Sequence, residues 1–343
     1  MAYHIITIHQ KEDWMNYVSK CVLYDFYHTW YYHSLEPSGE PFLFVYEEDD
    51  IFIAFPLLRR MIDGTPFKDC TSVYGYSGPI SNVDFKDMDQ DILTNFKMSF
   101  LSFLRQESNI SVFSRLHPVI NQQILLDQFG GLFDNGRTVA IDLKNPIEVQ
   151  RSKYRSRYRS KIKQLRNKGY HLKIASSDEE IREFVNIYNA NMARVGAKDY
   201  YYFNDEYFFN LLKSTEFECN LLLAYFDDEI TSGILLTYSN NIVQFHLAAT
   251  KADYLHDGPM KVLIDEATLL GRERGMDYLH LGGGLGGEED SLFEFKSGFS
   301  DLFLNFKTWR FMADEASYDS IVEARGLTSY SNNEFFPLYR MAN

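Results

Sequence analysis

Cysteine is scarce in this chain. Cys21, Cys70 and Cys219 are the three among 343 residues. Their odd number, wide separation and lack of metal-ligand spacing exclude a disulfide framework and a thiolate-bound metal, and they imply a reducing compartment. Long apolar runs are also missing: no window reaches 18 uninterrupted apolar residues, which excludes a transmembrane helix. The opening residues MAYHIITIHQKEDW hold no basic region followed by an apolar core. No secretory leader is read there, and the protein is expected to be cytoplasmic. Positive charge is in deficit, with 34 Lys and Arg against 48 Asp and Glu and a formal net charge of -14. That balance argues against DNA, and against general nucleic-acid or membrane-surface binding unless positive charge is concentrated locally. Aromatic residues, by contrast, make up 16% of the chain. They suit an aromatic-lined cleft and equally a packed core.

A length of 343 residues predicts two domains, each able to bury its own core. The first half reads β-α-β-β-β-α-β-α-β: a strand at Tyr3 to Ile8, one helix from Glu12 through the aromatic cluster ending at Tyr31, a hairpin, a strand from Thr71, a helix at Phe85 to Arg105, a strand at Ile110 to Leu116, a helix at Asn121 to Phe129 and a strand at Thr138 to Leu143. The second half broadly repeats that order, with one extra helix. The hairpin FLFVYEEDDIFIAFPLL, starting at Phe42, resembles LLLAYFDDEITSGILL, starting at Leu221, each with two apolar strands around an acidic tip that has no glycine to set its turn type. The expectation is a duplicated mixed α/β unit, with domains at 1–148 and 149–343.

Positive charge is in fact concentrated. Gln150 to Ser177 contains no carboxylate, and nine basic residues fall between Arg151 and Lys168. Tyr154, Tyr158, Ile162 and Leu165 recur at i, i+4, i+8 and i+11, so the segment is an amphipathic helix docked on the fold. Arg155, Arg159 and Lys163 stack at i, i+4 and i+8 on its polar side, a ladder suited to phosphates. The alternative is that these charges pair with the acidic remainder.

A strand at Tyr278 to Leu281 runs into Gly282, Gly283, Gly284, Gly286 and Gly287 and then into FEFKSGF, which carries Lys296. Bare backbone lets a ligand or a second segment approach closely; a flexible turn is the simpler reading. Gly282, Gly284 and Gly287 have the G-x-G-x-x-G spacing of a dinucleotide site, but Glu288, Glu289 and Asp290 follow where a pyrophosphate would sit, and no Gly-Lys-Ser/Thr closes a P-loop. Lys296, between Phe295 and Phe299, is either a partly desolvated lysine that pulls on an anionic oxygen or a lysine whose stem covers apolar surface.

The order of elements in each half resembles the GNAT N-acetyltransferase fold, and the tandem with GGG followed by FKxGF resembles its FemAB-like branch, which contains peptidoglycan-bridge aminoacyltransferases and related acyltransferases. The resemblance rests on Tyr74 to Pro79 (YGYSGP), Ser114 to Pro118 (SRLHP) with Asn121, Asn191 to Phe203 (NMARVGAKDYYYF) and Leu281 to Phe299, and it covers nearly the whole chain. It implies two tandem GNAT-like domains, each a mixed, mostly antiparallel sheet flanked by helices. It also implies an acyltransferase that moves an acyl or aminoacyl group to an amine or hydroxyl of a cell-envelope precursor or sugar nucleotide. No long inserted coiled-coil arm, found in several bridge-forming members, occurs in the second half, so acyl-CoA and aminoacyl-tRNA both stand as co-substrate, with no permanently bound cofactor and no metal.

Such chemistry needs orientation, a polarised carbonyl and removal of one proton. Lys296 is the resemblance's candidate for the oxyanion or donor phosphate, with His246, in VQFHLAAT, and Tyr201 or Tyr202 for proton handling. The loop Lys251 to Gly258, with Lys261, Gly283 and Gly284, is the candidate donor site. Tyr74, Tyr76, Arg115, His117 and Arg194, together with the basic ladder, combine flat faces and charged donors suited to the acceptor. Two other classes compete: an RNA-binding protein with Tyr154 and Tyr158 as stacking platforms, and a non-catalytic interaction protein on the same fold.

Overall fold

The protein is described by a computed structural model over residues 3–198, 201–327 and 335–341. Its first stretch runs β1 (Tyr3–Thr7), α1 (Lys11–Val18), α2 (Trp30–Ser34), β2 (Glu40–Glu48), β3 (Ile51–Met61), β4 (Lys68–Thr71), β5 (Ile80–Ser81), α3 (Gln90–Gln106), β6 (Asn109–Arg115), α4 (Gln123–Leu126) and β7 (Leu132–Asp142). Then follow α5 (Ile147–Ser152), α6 (Ser156–Lys168), β8 (His171–Ile174), α7 (Asp178–Arg194), α8 (Asp205–Leu212), β9 (Glu218–Phe226), β10 (Glu229–Ser239), β11 (Ile242–Thr250), α9 (Met260–Glu273), β12 (Tyr278–Gly282), α10 (Ser291–Lys296), β13 (Leu302–Met312) and α11 (Glu315–Ala324).

Two compact units result, Met1–Asn135 with Asn305–Asn343, and Gly136–Leu304. The described residues from Asn305 onward, read from sequence as part of the second domain, thus pack with the first. There the later half of β13 pairs antiparallel with β6, and Tyr318, Ile321 and Val322 of α11 bury against Ile62, Ile110, Leu338 and Tyr339. Likewise β7, read as the last strand of the first domain, pairs through residues 139–142 with β12.

Each unit repeats one plan. In the first, β1, β2, β3 and β4 pair antiparallel in turn, and β4 then pairs parallel with β6 after the crossover through α3. In the second, β8, β9, β10 and β11 do the same, and β11 pairs parallel with β12 after the crossover through α9. One parallel pair inside an otherwise antiparallel sheet is therefore common to both. The first core is aromatic, with Phe44, Phe55, Phe96, Phe100 and Phe103 between α3 and the sheet and the Phe44 and Phe100 ring centroids 4.9 Å apart. The second gathers Tyr154, Tyr158, Ile162 and Leu165 of the basic segment onto α9 and the sheet.

Local rules explain where the sequence reading moved. The expected helix from Glu12 to Tyr31 is broken because Asp25 is extended and caps a 3-10 turn at Phe26–His28, and Thr29 caps α2. β4 ends at Thr71 rather than starting there, and the basic helix is interrupted at 153–155 between α5 and α6. The acidic tip between β9 and β10 turns without glycine, since Asp227 and Asp228 both take positive φ (50° and 61°).

Gly298 of FKSGF lies against the ring of Tyr158. A Cβ built there would stand 2.1 Å from Tyr158 Cε2, so even one methyl overpacks the junction between α6 and the segment after α10. Gly298→Ala is expected to cost about 1–3 kcal/mol and to lower the melting temperature accordingly; an unchanged melting temperature would contradict this packing.

Candidate active site

The site is built where two neighbouring strands separate. β11 and β12 share three parallel rungs, Ile242 with Tyr278, Val243 with Leu279 and Gln244 with His280. β11 then continues six residues further to Thr250, paired only with β10, while β12 ends at Gly282. Both strands are irregular just past the last rung. The β10–β11 register slips so that Leu236 faces Phe245 and Leu235 faces Leu247, leaving His246 as the extra residue, and the β12–β7 register slips between His280 and Gly282. Bulges of this kind end pairing and re-aim side chains.

Lys296, at the last position of α10, reaches this opening. Its ammonium donates to the Gly283 carbonyl at 2.6 Å and stands 5.9 Å from the Phe245 ring centroid. The residue is 8% exposed, and among the described residues no carboxylate lies within 4 Å of its Nζ. Burial lowers its pKa to about 8, with the more distant Asp290 carboxylate opposing that shift. Between the two sequence readings of this lysine, the position is that of a desolvated cation and not of a stem lying over the surface.

The glycine run is folded onto itself. The place of a Gly284 side chain is filled by the Glu288 carbonyl, 2.0 Å from an ideal Cβ, and by the Asp290 carboxylate. Asp290 caps α10 by accepting from Leu292 and Phe293 N-H and also accepts from Leu285 N-H, and Glu289 pairs with Arg137 at 2.7 Å. The acidic run after the glycines therefore works locally. The backbone beside Gly283 remains the one that Lys296 addresses.

His246 is also 8% exposed, and burial lowers its pKa to about 3, so its imidazole is neutral at pH 7. Its Nε2 lies 2.7 Å from the phenol oxygen of Tyr207 on α8, a residue that sequence reasoning missed. The Phe203 ring stacks on Tyr207 at 4.1 Å, and Asn204 caps α8 by accepting from Tyr207 N-H. Tyr202 is 42% exposed, and the Tyr201 carbonyl accepts from Tyr188. The signal for Tyr207 was its place one turn after the YYYF run, in the capped start of α8. Asp199 and Tyr200 lie outside the described residues.

The candidate donor loop brings three cations together at the start of α9. Lys261 is half-buried, its ammonium 5.1 Å from the Tyr158 ring centroid and 5.3 Å from that of Phe295. Burial first, then the Lys161 and Arg157 charges, lower its pKa. Gly258 has φ 67°, and an ideal Cβ there would meet Lys261 Nζ at 2.6 Å. Lys161 has a distant partner, Asp257 at 3.9 Å; among the described residues, Arg157 and Lys261 have no carboxylate within 4 Å.

Most of the basic segment is committed elsewhere. Arg151 and Arg166 share the buried Asp265, Lys153 pairs with Asp301, Lys168 with Asp257, and Arg155 with Glu294 at 2.8 Å. Arg159 donates to the carbonyls of Ser152 and Tyr154 at the end of α5, and Lys163 has no carboxylate within 4 Å among the described residues. Tyr154 and Tyr158 are buried and hydrogen-bonded, Tyr154 to Gln150 and Tyr158 to the Phe295 carbonyl, so they offer no stacking surface to RNA.

In the first unit, His117 is buried with Nε2 3.1 Å from Asp25 and its backbone N-H on Gln122. A cavity of about 160 Å³ beside it is lined by Leu116, His117, Pro118, Gln123, Asn305 and Lys307. The Tyr76 ring meets His117 and Phe306 edge-on, the Tyr74 carbonyl accepts from Tyr32, and the Arg115 guanidinium lies over Phe113. Arg194 is bound to Asn191 on the exposed end of α7. No group of three or more potential ligand side chains that could hold a metal, and no helix long and apolar enough to cross a membrane, occurs among the described residues.

The depressed Lys296 pKa has a stability consequence. The folded state gives up this proton at about pH 8 and the unfolded chain near 10.5, so the parent gains stability as pH rises through that window. The difference in melting temperature between parent and Lys296→Met is expected to move in the parent's favour from pH 7.5 to 9.5. A difference that stays flat over that range would show that the ammonium is not desolvated.

Residues 152–297 match the family described as "Acetyltransferase (GNAT) domain". No curated protein matches the chain in sequence. Among solved structures, the crystal structure of FemX superposes with a TM-score of 0.70 at 14% identity, covering 94% of this chain and 100% of FemX. A conserved protein of unknown function from Bacteroides thetaiotaomicron follows the fold with a TM-score of 0.59 at 10% identity, covering 91% of this chain and 99% of that one. L-PGS from Bacillus licheniformis does so at 0.52 and 13% identity, covering 79% of this chain and 84% of that one. Residues 152–297 thus carry a GNAT acetyltransferase domain, and the chain as a whole has the FemAB-like tandem GNAT fold seen in FemX.

Proposed function

We propose that the protein transfers an acyl or aminoacyl group from an activated donor, acyl-CoA or aminoacyl-tRNA, to an amine or hydroxyl of a cell-envelope precursor or sugar nucleotide. The observation that carries this reading is the parting of β11 and β12 with the Lys296 ammonium inside the opening. Strands that stop pairing expose backbone N-H and C=O groups along an apolar slot, which suits an extended donor arm. The acyl carbonyl would lie beside Phe245 and Gly283, and the nucleophile would attack it directly, with no covalent enzyme intermediate. As the tetrahedral oxygen gains charge, Lys296 is the cation at hand, and its desolvation strengthens that interaction.

At the start of α9, Arg157, Lys161 and Lys261 supply positive charge for the phosphates that both donor classes carry. Gly258 keeps that turn open to Lys261. For the acceptor, the polar cavity beside His117, with the flat faces of Tyr74 and Tyr76 and the charge of Arg115 nearby in sequence, supports binding of a precursor in the first unit. FemX and L-PGS, whose names accompany the matching structures, make the cell envelope the first place to look for that acceptor. A cytoplasmic site of action remains part of the proposal.

The test compares parent and Lys296→Met with acetyl-CoA and with aminoacyl-tRNA as donors and envelope precursors as acceptors. Loss of an oxyanion partner is expected to lower kcat and kcat/KM together, by roughly 10²-fold or more, with donor KM little changed. A rise in donor KM at nearly constant kcat would instead make Lys296 a phosphate grip. Parental kinetics in a folded Lys296→Met protein would remove the lysine from the reaction.

A further inference from the structure

The sequence reading stacks Arg155 with Arg159 and Lys163 on one helix face, ready for a phosphate. The chain instead breaks at 153–155, and Arg155 stands just before α6 with non-helical backbone angles, φ -51° and ψ 136°. That break turns it toward α10. Its backbone N-H donates to the Gly298 carbonyl at 2.8 Å, and one guanidinium nitrogen donates to the Glu294 carboxylate at 2.8 Å and to the Ser297 hydroxyl oxygen at 2.9 Å. The Ser297 proton goes to the Glu294 carbonyl at 3.0 Å, which leaves the Ser297 oxygen to accept from Arg155. Tyr158, three residues on, donates its phenol proton to the Phe295 carbonyl at 3.2 Å. The residues gripped are 294, 295, 297 and 298, which bracket Lys296 on both sides.

We propose that Arg155 is a positioning residue for Lys296: its guanidinium and its backbone N-H grip α10 on both sides of the lysine and hold the ammonium in the β11–β12 opening. This rests on the acyl-transfer reading above, in which Lys296 meets the oxyanion, and adds the residue that aims it. α10 has six residues, too few to stay helical without tertiary support. Its first turn is held by the Asp290 cap, and its last turn, which carries Lys296, by Arg155 and Tyr158. A buried ammonium gains by moving out to water, so that last turn needs a restraint against swinging outward. A planar fork that meets two partners at once supplies a direction as well as an attraction. The Glu294 carboxylate is largely exposed and its pairing with Arg155 is screened, so geometry carries the grip more than charge. The other charged groups facing α10 are Asp290 at its cap, Glu289 on Arg137 and Lys261 over the Phe295 ring, and none of them touches Arg155. Arg155 is thus committed to the protein and not to a phosphate.

The test uses the full chain labelled with 13C-lysine, Lys296 being assigned by its loss in Lys296→Met, in the parent, Arg155→Met, Arg155→Lys and Ser297→Ala. The parent Lys296 resonance is expected to titrate at about pH 8, and each variant to raise that midpoint toward the ordinary lysine value as water reaches the ammonium. Arg155→Lys keeps the charge without the fork, and Ser297→Ala changes no charge at all, so a shift in both separates the grip from electrostatics. With acetyl-CoA or aminoacyl-tRNA as donor, and the acceptors used for Lys296→Met, Arg155→Met should lower kcat roughly tenfold or more with donor KM unchanged. A Lys296 midpoint that stays parental in all three variants would overturn the inference. So would a rise in donor KM at constant kcat, which would return Arg155 to a phosphate. Absence of transfer by the parent with either donor would count against the acyl-transfer reading, while the titration would still decide whether Arg155 holds Lys296.

Discussion

A strand that stops pairing in the middle of a sheet leaves hydrogen-bonding groups that must be satisfied by something else. β11 does so after Gln244, and much of the second unit is arranged around that gap. The crossover α9 brings β12 alongside β11 for three rungs and then lets it leave. The turn after β12 is bent by glycines and pinned by Asp290, which directs α10 so that its last residue, Lys296, returns to the Gly283 carbonyl. Tyr158 of α6 closes on Phe295, Phe299 and the bare Gly298, fixing the segment that carries the lysine. Without that packing the ammonium would have no reason to stay buried.

The charges follow from the same constraint. A buried lysine with no carboxylate within 4 Å among the described residues is costly, and the acidic run nearby is committed elsewhere: Asp290, which acts on the lysine only from a distance, caps a helix, and Glu289 pairs with Arg137. Keeping a cation desolvated and unpaired is what an emerging oxyanion needs, and it is the kind of local cost that structures retain at functional sites. The basic segment shows the opposite economy. Six of its nine cations have carboxylate partners, four of them through Asp257 or Asp265 contacts made by Lys161, Lys168, Arg151 and Arg166, so its main work is to fasten α5 and α6 to α9 and the turn before it. What it leaves toward the start of α9 is a small cluster around Lys261.

Much of the fold was legible because both repeats obey short-range rules. Alternating apolar strands around Asp-Asp tips announced the hairpins, and the stripe announced a docked helix, Tyr158, Ile162 and Leu165 being buried on α6, with Tyr154 buried in the break before it. The strand exchange was not legible. β7 and the end of β13 read as ordinary terminal strands of their own halves, and only pairing with β12 and β6 reveals where they belong. In the site, Lys296 stood out because a charge between phenylalanines breaks a local pattern. Tyr207 did not, because its contact with His246 depends on a register slip that no spacing encodes, and the exposed Tyr202 drew attention instead. The ion pairs of Arg155 and Arg151 are equally invisible in sequence, their partners being more than a hundred residues away.

The central claim is that the gap between β11 and β12 receives the acyl donor beside Lys296. Its most direct measurement is a crystal structure of the protein with a non-transferable acyl-CoA analogue, or with an analogue of the aminoacyl-adenosine end of tRNA. The donor's carbonyl is expected between Phe245 and Gly283, with its oxygen within hydrogen-bond distance of Lys296 Nζ. A donor carbonyl bound away from that gap, with Lys296 still on the Gly283 carbonyl and untouched by ligand, would contradict it.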